Sequence, residues 1–163
     1  MPLSRIIFYL LIGIFTAQTV YYFPALPDKV ASHFDGSGSP DGWMSKNGFI
    51  VLEVIILSIL VFQFVGLPYL IEKLPNSLVN IPNKDYWLAT ERKAGTFAFI
   101  RQYFDWFAVG SLGLFVLVNQ LVYSANIERQ NLPSAKMWAI LIVYFAFVIF
   151  WLIRFIRHFT VRT

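Results

Sequence analysis

Apolar residues dominate four runs, Ile6–Phe23, Gly48–Ile71, Trp106–Tyr123 and Met137–Ile153, with most of the polar residues gathered between them. Each run is apolar on every side rather than along one stripe. That pattern suits a helix surrounded by lipid, where each backbone group must be bonded within its own segment. About 20 such residues cross a bilayer core. The first, third and fourth runs fall slightly short, and interfacial residues extend them. The pattern predicts an all-α membrane protein, a four-transmembrane-helix bundle with spans at about 6–23, 48–71, 104–125 and 137–156. An outer loop takes 24–47, an inner loop takes 72–103, and the whole of 1–163 is one domain.

The run ends carry the marks of helix ends at a membrane surface. Pro24 and Pro27 stop the first helix, and Gly66 and Pro68 permit a kink near the end of the second. Tyr21, Tyr22, Trp43, Tyr69, Trp106, Tyr123, Trp138 and Trp151 are placed for an aromatic belt. Arg5 precedes the first run as in a secretory leader, but no small-x-small cleavage site follows, so the run is read as a retained helix.

Composition agrees: 58% of residues are apolar and only 13% charged, about half the charged fraction of soluble domains. With no cysteine, disulfides, thiolate metal sites and Cys nucleophiles are excluded. The net charge of +4 raises a nucleic-acid reading. Its distribution answers that reading. With the N-terminus inside, Arg5, Lys73, Lys84, Arg92, Lys93, Arg101, Arg154, Arg157 and Arg162 face the cytoplasm, against Lys29, Lys46, Arg129 and Lys136 outside. The excess sets topology and attracts anionic lipid headgroups. The expected home is a bacterial cytoplasmic (inner) membrane with both termini in the cytoplasm, and no nucleic acid is a partner.

The outer loop reads PALPDKVASHFDGSGSPDGWMSKN. Asp28 is placed to cap a short helix running through Phe34, with Val30, His33 and Phe34 on one face. Asp35-Gly36, Gly38, Pro40 and Asp41-Gly42 then supply tight turns, and Trp43 returns the chain to the interface. The inner loop divides into a Pro- and Asn-rich coil at 74–88 and a helical stretch at 89–101 capped by Thr90. Ala94, Phe97, Ala98 and Arg101 form its inner face, with Glu91, Arg92 and Lys93 toward water. This predicts a cytoplasmic amphipathic segment anchored by Tyr86 and Trp87.

The run Leu26-Pro27-Asp28-Lys29-Val30-Ala31-Ser32-His33-Phe34-Asp35, followed by Gly38-x-Pro40-Asp41-Gly42-Trp43 and Lys46, resembles the signature of domain of unknown function 1648. That domain sits near the N-terminus of many bacterial membrane proteins, among them the SdpI-type immunity and signal-receptor proteins. The resemblance covers the first two helices and the loop between them. Asn80-Ile81-Pro82-Asn83-Lys84-Asp85-Tyr86-Trp87-Leu88-Ala89 resembles a segment of stand-alone members rather than of the longer SdpI-type chains. The resemblance implies a binding or immunity role and brings no catalytic residues with it.

Polar residues within the spans are the remaining candidates. Glu53 lies six residues past Asn47, roughly 9 Å along a helix. A carboxylate facing lipid there is costly. Gln18, Asn119 and Gln120 fall at comparable depth, so the four predict an outward polar pocket roofed by His33, Asp35 and Asp41. The plainer alternative pairs Glu53 with Lys46, Lys136 or His33 to lock the bundle. His158 falls on the opposite membrane face from His33, and one His with carboxylates is a poor ligand set, so no metal and no cofactor are expected. His33 is read as a hydrogen-bond partner that orders its loop. Asp105 finds an i−4 partner in Arg101. Gly110 and Gly113 permit close helix approach.

These features point to a non-enzymatic binding, receptor or immunity-type module acting through the outer loop and the polar pocket, with an extracytoplasmic peptide as ligand. An accessory subunit of a larger membrane complex is the alternative. A membrane-embedded hydrolase using Glu53 or His33 is the third reading.

Overall fold

The computed structural model describes residues 1–160; Arg162, counted above among the inner basic residues, lies outside them. Four helices are long and apolar enough to cross a membrane, over Leu3–Ala25, Lys46–Glu72, Thr90–Glu128 and Ser134–Thr160. The chain is a multi-pass helical membrane protein. The expected spans all fall within these segments, and each helix extends beyond its apolar run.

Helix α1 covers Leu3–Tyr22. The outer loop follows as strands β1 (Lys29–Phe34) and β2 (Pro40–Ser45). Helix α2 (Lys46–Val61) continues through a π-helical turn at Phe62–Gly66 into α3 (Leu67–Glu72), and together they make the second span. One short helix, α4 (Lys84–Trp87), precedes α5 (Thr90–Glu128) and α6 (Ser134–Thr160). Helix α5 is the central element, and α1, the α2–α3 span and α6 all pack against it. Its 39 residues make a rod of about 58 Å, far longer than the ~30 Å hydrocarbon core. Its first turns therefore project beyond the membrane at the end of the bundle that holds the termini.

The helix expected from Asp28 to Phe34 is instead strand β1, paired antiparallel with β2 in the register Lys29↔Ser45, Val30↔Met44, Ala31↔Trp43, His33↔Gly42 and Phe34↔Pro40. Asp28 caps nothing; its carbonyl accepts Lys46 N–H at 2.9 Å and closes the base of the hairpin. A seven-residue helix closes few internal bonds for its nucleation cost. The hairpin bonds both strands and buries Leu26 and Val30 with Phe49, Val122, Tyr123 and Leu132, a gain of about 1.5–3 kcal/mol for each fully buried aliphatic side chain. Adjacent Val30 and Ala31 are both buried, Ala31 because Asn126 holds its backbone against α5, and the pairing turns irregular after Ala31 and after His33. That breaks the period-two pattern by which a strand is recognised.

The hairpin tip is seated on the connection between α5 and α6. Leu132 N–H donates to Gly38 O at 2.9 Å, and Trp138 Nε1 donates to Gly36 O at 3.2 Å. Gly38 has φ +90°, and a Cβ there would stand 2.0 Å from Leu132 O. Gly38→Ala is expected to cost roughly 2 kcal/mol or more and to unseat the tip. Limited proteolysis should then nick the loop several times faster. Gly36→Ala, whose Cβ would meet only Trp138 at 3.9 Å, should leave the rate unchanged.

At the opposite end, the amphipathic stretch expected to lead into the third span is continuous with it and forms the start of α5. Ala89, not Thr90, is its N-cap, and no side chain caps it. Thr96, Phe97 and Ile100 form the buried face, while Ala94 and Ala98 are exposed. Trp87 packs against the end of α6. Its indole stacks on His158, and Trp87 Nε1 and Asn83 Nδ2 donate to Phe159 O at 3.1 and 2.9 Å, capping the end of α6. The first turns of α5 leave the membrane covered by protein, so helical spacing alone could not mark which face is inside.

Asp105 pairs with Arg5 Nε at 3.0 Å rather than with Arg101, which binds Glu72. Both pairs tie α5 to another span instead of stapling it to itself. Gly110 does sit at a close helix contact, where a Cβ would be 2.4 Å from Phe147 on α6, but Gly113 has nothing within 4 Å.

Candidate functional site

The hairpin end of the bundle holds most of the polar residues singled out in the spans. Glu53 projects from the second turn of α2, a helix begun by Ser45, whose Oγ accepts Gly48 N–H at 3.1 Å. It is 2% exposed and faces inward. Tyr123 Oη donates to both of its carboxyl oxygens at 2.8 and 2.7 Å, and Thr19 Oγ1 lies 3.4 Å from Oε2 and 3.1 Å from the Tyr123 hydroxyl. These three groups join α1, α2 and α5 at one level. Tyr22 stacks on the Tyr123 ring at 5.1 Å, and Phe49 meets it edge-on at 6.1 Å. The cluster is sealed by aromatic rings.

The partners expected for Glu53 are not the ones it has. Gln18 and Gln120 form a neighbouring chain: Gln18 Nε2 donates to Gln120 Oε1 at 3.0 Å, and Gln120 Nε2 donates to Tyr22 Oη at 2.7 Å. Asn119 is buried on α5, and its Nδ2 has no hydrogen-bond partner among the described residues. Lys46 Nζ turns away to Leu26 O at 3.1 Å and lies over the Phe23 ring. Thr19 and Tyr123 take the carboxyl because both hydroxyls already lie inside the bundle. A lysine there would have to leave water first.

His33, Asp35 and Asp41 do not roof the cluster. All three are exposed on the hairpin. His33 Nδ1 bonds Asp41 across the strands, which orders the loop as its composition suggests. Asp35 holds the turn: its Oδ1 accepts from Ser37 Oγ at 2.7 Å, Ser37 N–H at 2.8 Å and Ser39 N–H at 2.9 Å. The bonds from Ser37 and Ser39 hold the Asp35 carboxyl below the usual carboxylate range. Among the described residues, no three His, Asp or Glu side chains converge as metal ligands.

Tyr123 and Trp151, expected in an aromatic belt, and Asn126, to which the sequence assigns no role, matter here in other ways. Tyr123 is fully buried rather than part of an interfacial belt, and Trp151 is buried too, its indole donating to Tyr103 O at 3.1 Å. Asn126 grips the hairpin by its backbone. Its Oδ1 accepts Ala31 N–H at 2.7 Å, and its Nδ2 donates to Ala31 O at 3.0 Å and Val122 O at 2.9 Å. The signal that finds them is periodic. Asn119, Tyr123 and Asn126 recur at helical spacing on one face of α5.

The open space at this end lies beside the cluster, not in it. A groove of about 320 Å³ separates the hairpin from the end of α5, with Lys29, Phe34, Trp43, Arg129, Gln130 and Asn131 along its walls. Arg129 closes α5 in the left-handed region at φ 54°, where glycine or asparagine is usual. A second groove of about 380 Å³ lies between the hairpin tip and α6, beside His33, Asp35, Met137 and Trp138.

No curated protein and no solved structure matches the chain. Residues 10–57 match the family described as domain of unknown function DUF1648. This segment takes in most of α1, the whole hairpin and the part of α2 that carries Glu53, and over these residues the chain is similar to the DUF1648 family.

Proposed function

We propose that this chain is a non-enzymatic binding module of the receptor or immunity type, set in a bacterial cytoplasmic membrane with both termini inside. Its ligand rests in the groove between the hairpin and the end of α5, not at Glu53. The observation that carries this reading is the groove's chemistry. Two cations, Lys29 and Arg129, share it with two aromatic rings, Phe34 and Trp43, and no acidic residue lines it. Lys29 Nζ already lies 5.6 Å from the Trp43 ring centre, so charge and flat apolar surface are presented together. The hairpin wall is held by Asn126 and Leu132, and a preorganised wall lowers the ordering cost of binding. A non-glycine residue in the left-handed region costs about 1–2 kcal/mol, and such outliers gather at working sites. Glu53, sealed beneath Tyr123, serves as a structural lock.

A peptide with carboxylates and an aromatic side chain fits such a groove, and a basic peptide does not. The test uses the protein in neutral-lipid nanodiscs and a labelled hexapeptide of Glu and Phe, with a Lys and Phe hexapeptide as control. The acidic peptide should bind, and more weakly at high salt. Lys29→Ala and Arg129→Ala should each weaken it about tenfold, as loss of one charge-assisted contact implies. Equal binding of both peptides, or indifference to both substitutions, would remove this reading.

A further inference from the structure

The second span carries a polar group that nothing among the described residues satisfies. Gln63 is exposed and sits nine residues before Glu72, where the span ends. That is about 14 Å of helix from the nearer end, inside the hydrocarbon. Among the described residues, no hydrogen bond to its side chain is formed. The backbone at this level is also short of a donor. Leu67 N–H reaches Phe62 O, five residues back, instead of Gln63 O. Pro68, the next residue, has no N–H to give. The π-helical turn thus leaves the side-chain amide and the main-chain carbonyl of one residue unpartnered in lipid, an arrangement that is costly until another chain supplies partners.

The surroundings have the form of a helix seat. Ser58, Ile59, Phe62, Gln63 and Leu67 line a shallow, almost wholly apolar hollow of about 440 Å³. Ser58 Oγ bonds back to Val54 O at 2.7 Å, so it adds a small surface rather than a second demand. Phe62 and Ile59 stand 58% and 55% exposed beside it.

We propose that this face pairs with the same face of a second copy of the chain, about a two-fold axis along the membrane normal, with Gln63 against Gln63. The argument is matching of depth and of donor to acceptor. Copies inserted in one orientation carry Gln63 at the same depth. A side-chain amide is both donor and acceptor, so two of them related by a two-fold axis satisfy each other with paired N–H···O bonds. A different partner would need its own amide or hydroxyl at that depth. The dimer leaves the hairpin grooves free and does not depend on what they bind.

The lack of cysteine makes the test direct. Ile59→Cys keeps Gln63 in place. Oxidation in native membranes should give a disulfide-linked species of twice the 18.8 kDa chain mass, while Ile142→Cys on the lipid face of α6 should give none. Adding Gln63→Leu to Ile59→Cys should weaken self-association about tenfold, read as the lipid dilution at which cross-linking is half lost. Gln63→Asn should retain most of it. Gln63 lies outside the packed core, so Gln63→Leu should fold normally, and its proteolysis pattern checks this. The proposal is overturned by cross-linking to another protein instead, by equal yields at Ile59→Cys and Ile142→Cys, or by a Gln63→Leu variant that dimerises as well as the parent.

Discussion

Tyr123→Phe is expected to lower stability by about 2–4 kcal/mol, a large effect for the loss of one oxygen atom. The ring packing survives, because Phe fills the space between Tyr22 and Phe49. What is lost is the hydrogen-bond donor to both oxygens of a carboxyl group that is 2% exposed. Thr19 Oγ1 then stands alone, at 3.4 Å and with Phe15 O competing for its hydrogen. Removing one partner of a buried polar pair costs the desolvation of the group left behind, whereas removing both can be nearly neutral. Glu53→Leu alone should therefore cost less, since the Tyr123 hydroxyl keeps Thr19 at 3.1 Å. The double variant Glu53→Leu with Tyr123→Phe should be more stable than Tyr123→Phe by itself, the non-additivity expected of groups in contact. Equilibrium unfolding in mixed micelles reads all three. Strictly additive losses, or a Tyr123→Phe variant within about 0.5 kcal/mol of the parent, would show that the carboxyl is satisfied elsewhere. The same series separates a lock from a site. Glu53→Leu should leave acidic-peptide binding in the hairpin groove unchanged, because neither Glu53 nor Tyr123 lines it.

The membrane class and the four spans were legible because hydrocarbon imposes one rule on a long stretch of chain, and a run of twenty apolar residues has few other meanings. The inward turn of Glu53 was legible for the same reason: lipid penalises the outward one. Its partners were not. Thr19 and Tyr123 are ordinary residues in a helix, and their selection depends on how α1, α2 and α5 rotate against one another, which periodicity leaves open. The hairpin was hidden differently. Val30, His33 and Phe34 match helical spacing as well as they match a strand, and the burial of adjacent Val30 and Ala31 removes the alternation that would have decided it. Asp105 chose Arg5, one hundred residues away in sequence, over a local partner, since tying two spans together buries the acid more fully than a pair along one helix. Gln63 is not among the polar span residues singled out from the sequence, and its lack of a partner among the described residues becomes visible only once α2 has been turned against the bundle.

Asn126→Leu is expected to release the hairpin, at a cost of about 3–5 kcal/mol. The estimate rests on which groups lose their partners. Ala31 is 6% exposed, and Asn126 satisfies its N–H at 2.7 Å and its carbonyl at 3.0 Å. Leucine has the branched outline of asparagine but no polar atom, and its methyl groups are bulkier, so both backbone groups stay buried and unbonded, at about 1–3 kcal/mol each. Water can relieve them only if β1 lifts from α5, and that exposes Val30 and Leu26 from their shared cluster. Aspartate at this position divides the effect. Asn126→Asp keeps an oxygen for Ala31 N–H but loses the Nδ2 donor to Ala31 O and Val122 O, and it brings a carboxylate oxygen against a carbonyl. It should be damaged almost as badly as the leucine variant. Asn126→Gln keeps both functions on a longer stem and should recover part of the stability. Proteolysis of the tip between Gly36 and Gly38 reports release directly, and a cysteine at Ser37 reports it by faster modification with an impermeant maleimide. Helical content should be unchanged, because the four long helices do not need the hairpin to close their own backbone bonds. Acidic-peptide binding should fall with the same order of severity, since β1 forms one wall of the groove. An Asn126→Leu protein that keeps a protected tip and parental binding would mean that Leu132, Trp138 and the buried apolar contacts hold the hairpin without the amide clamp.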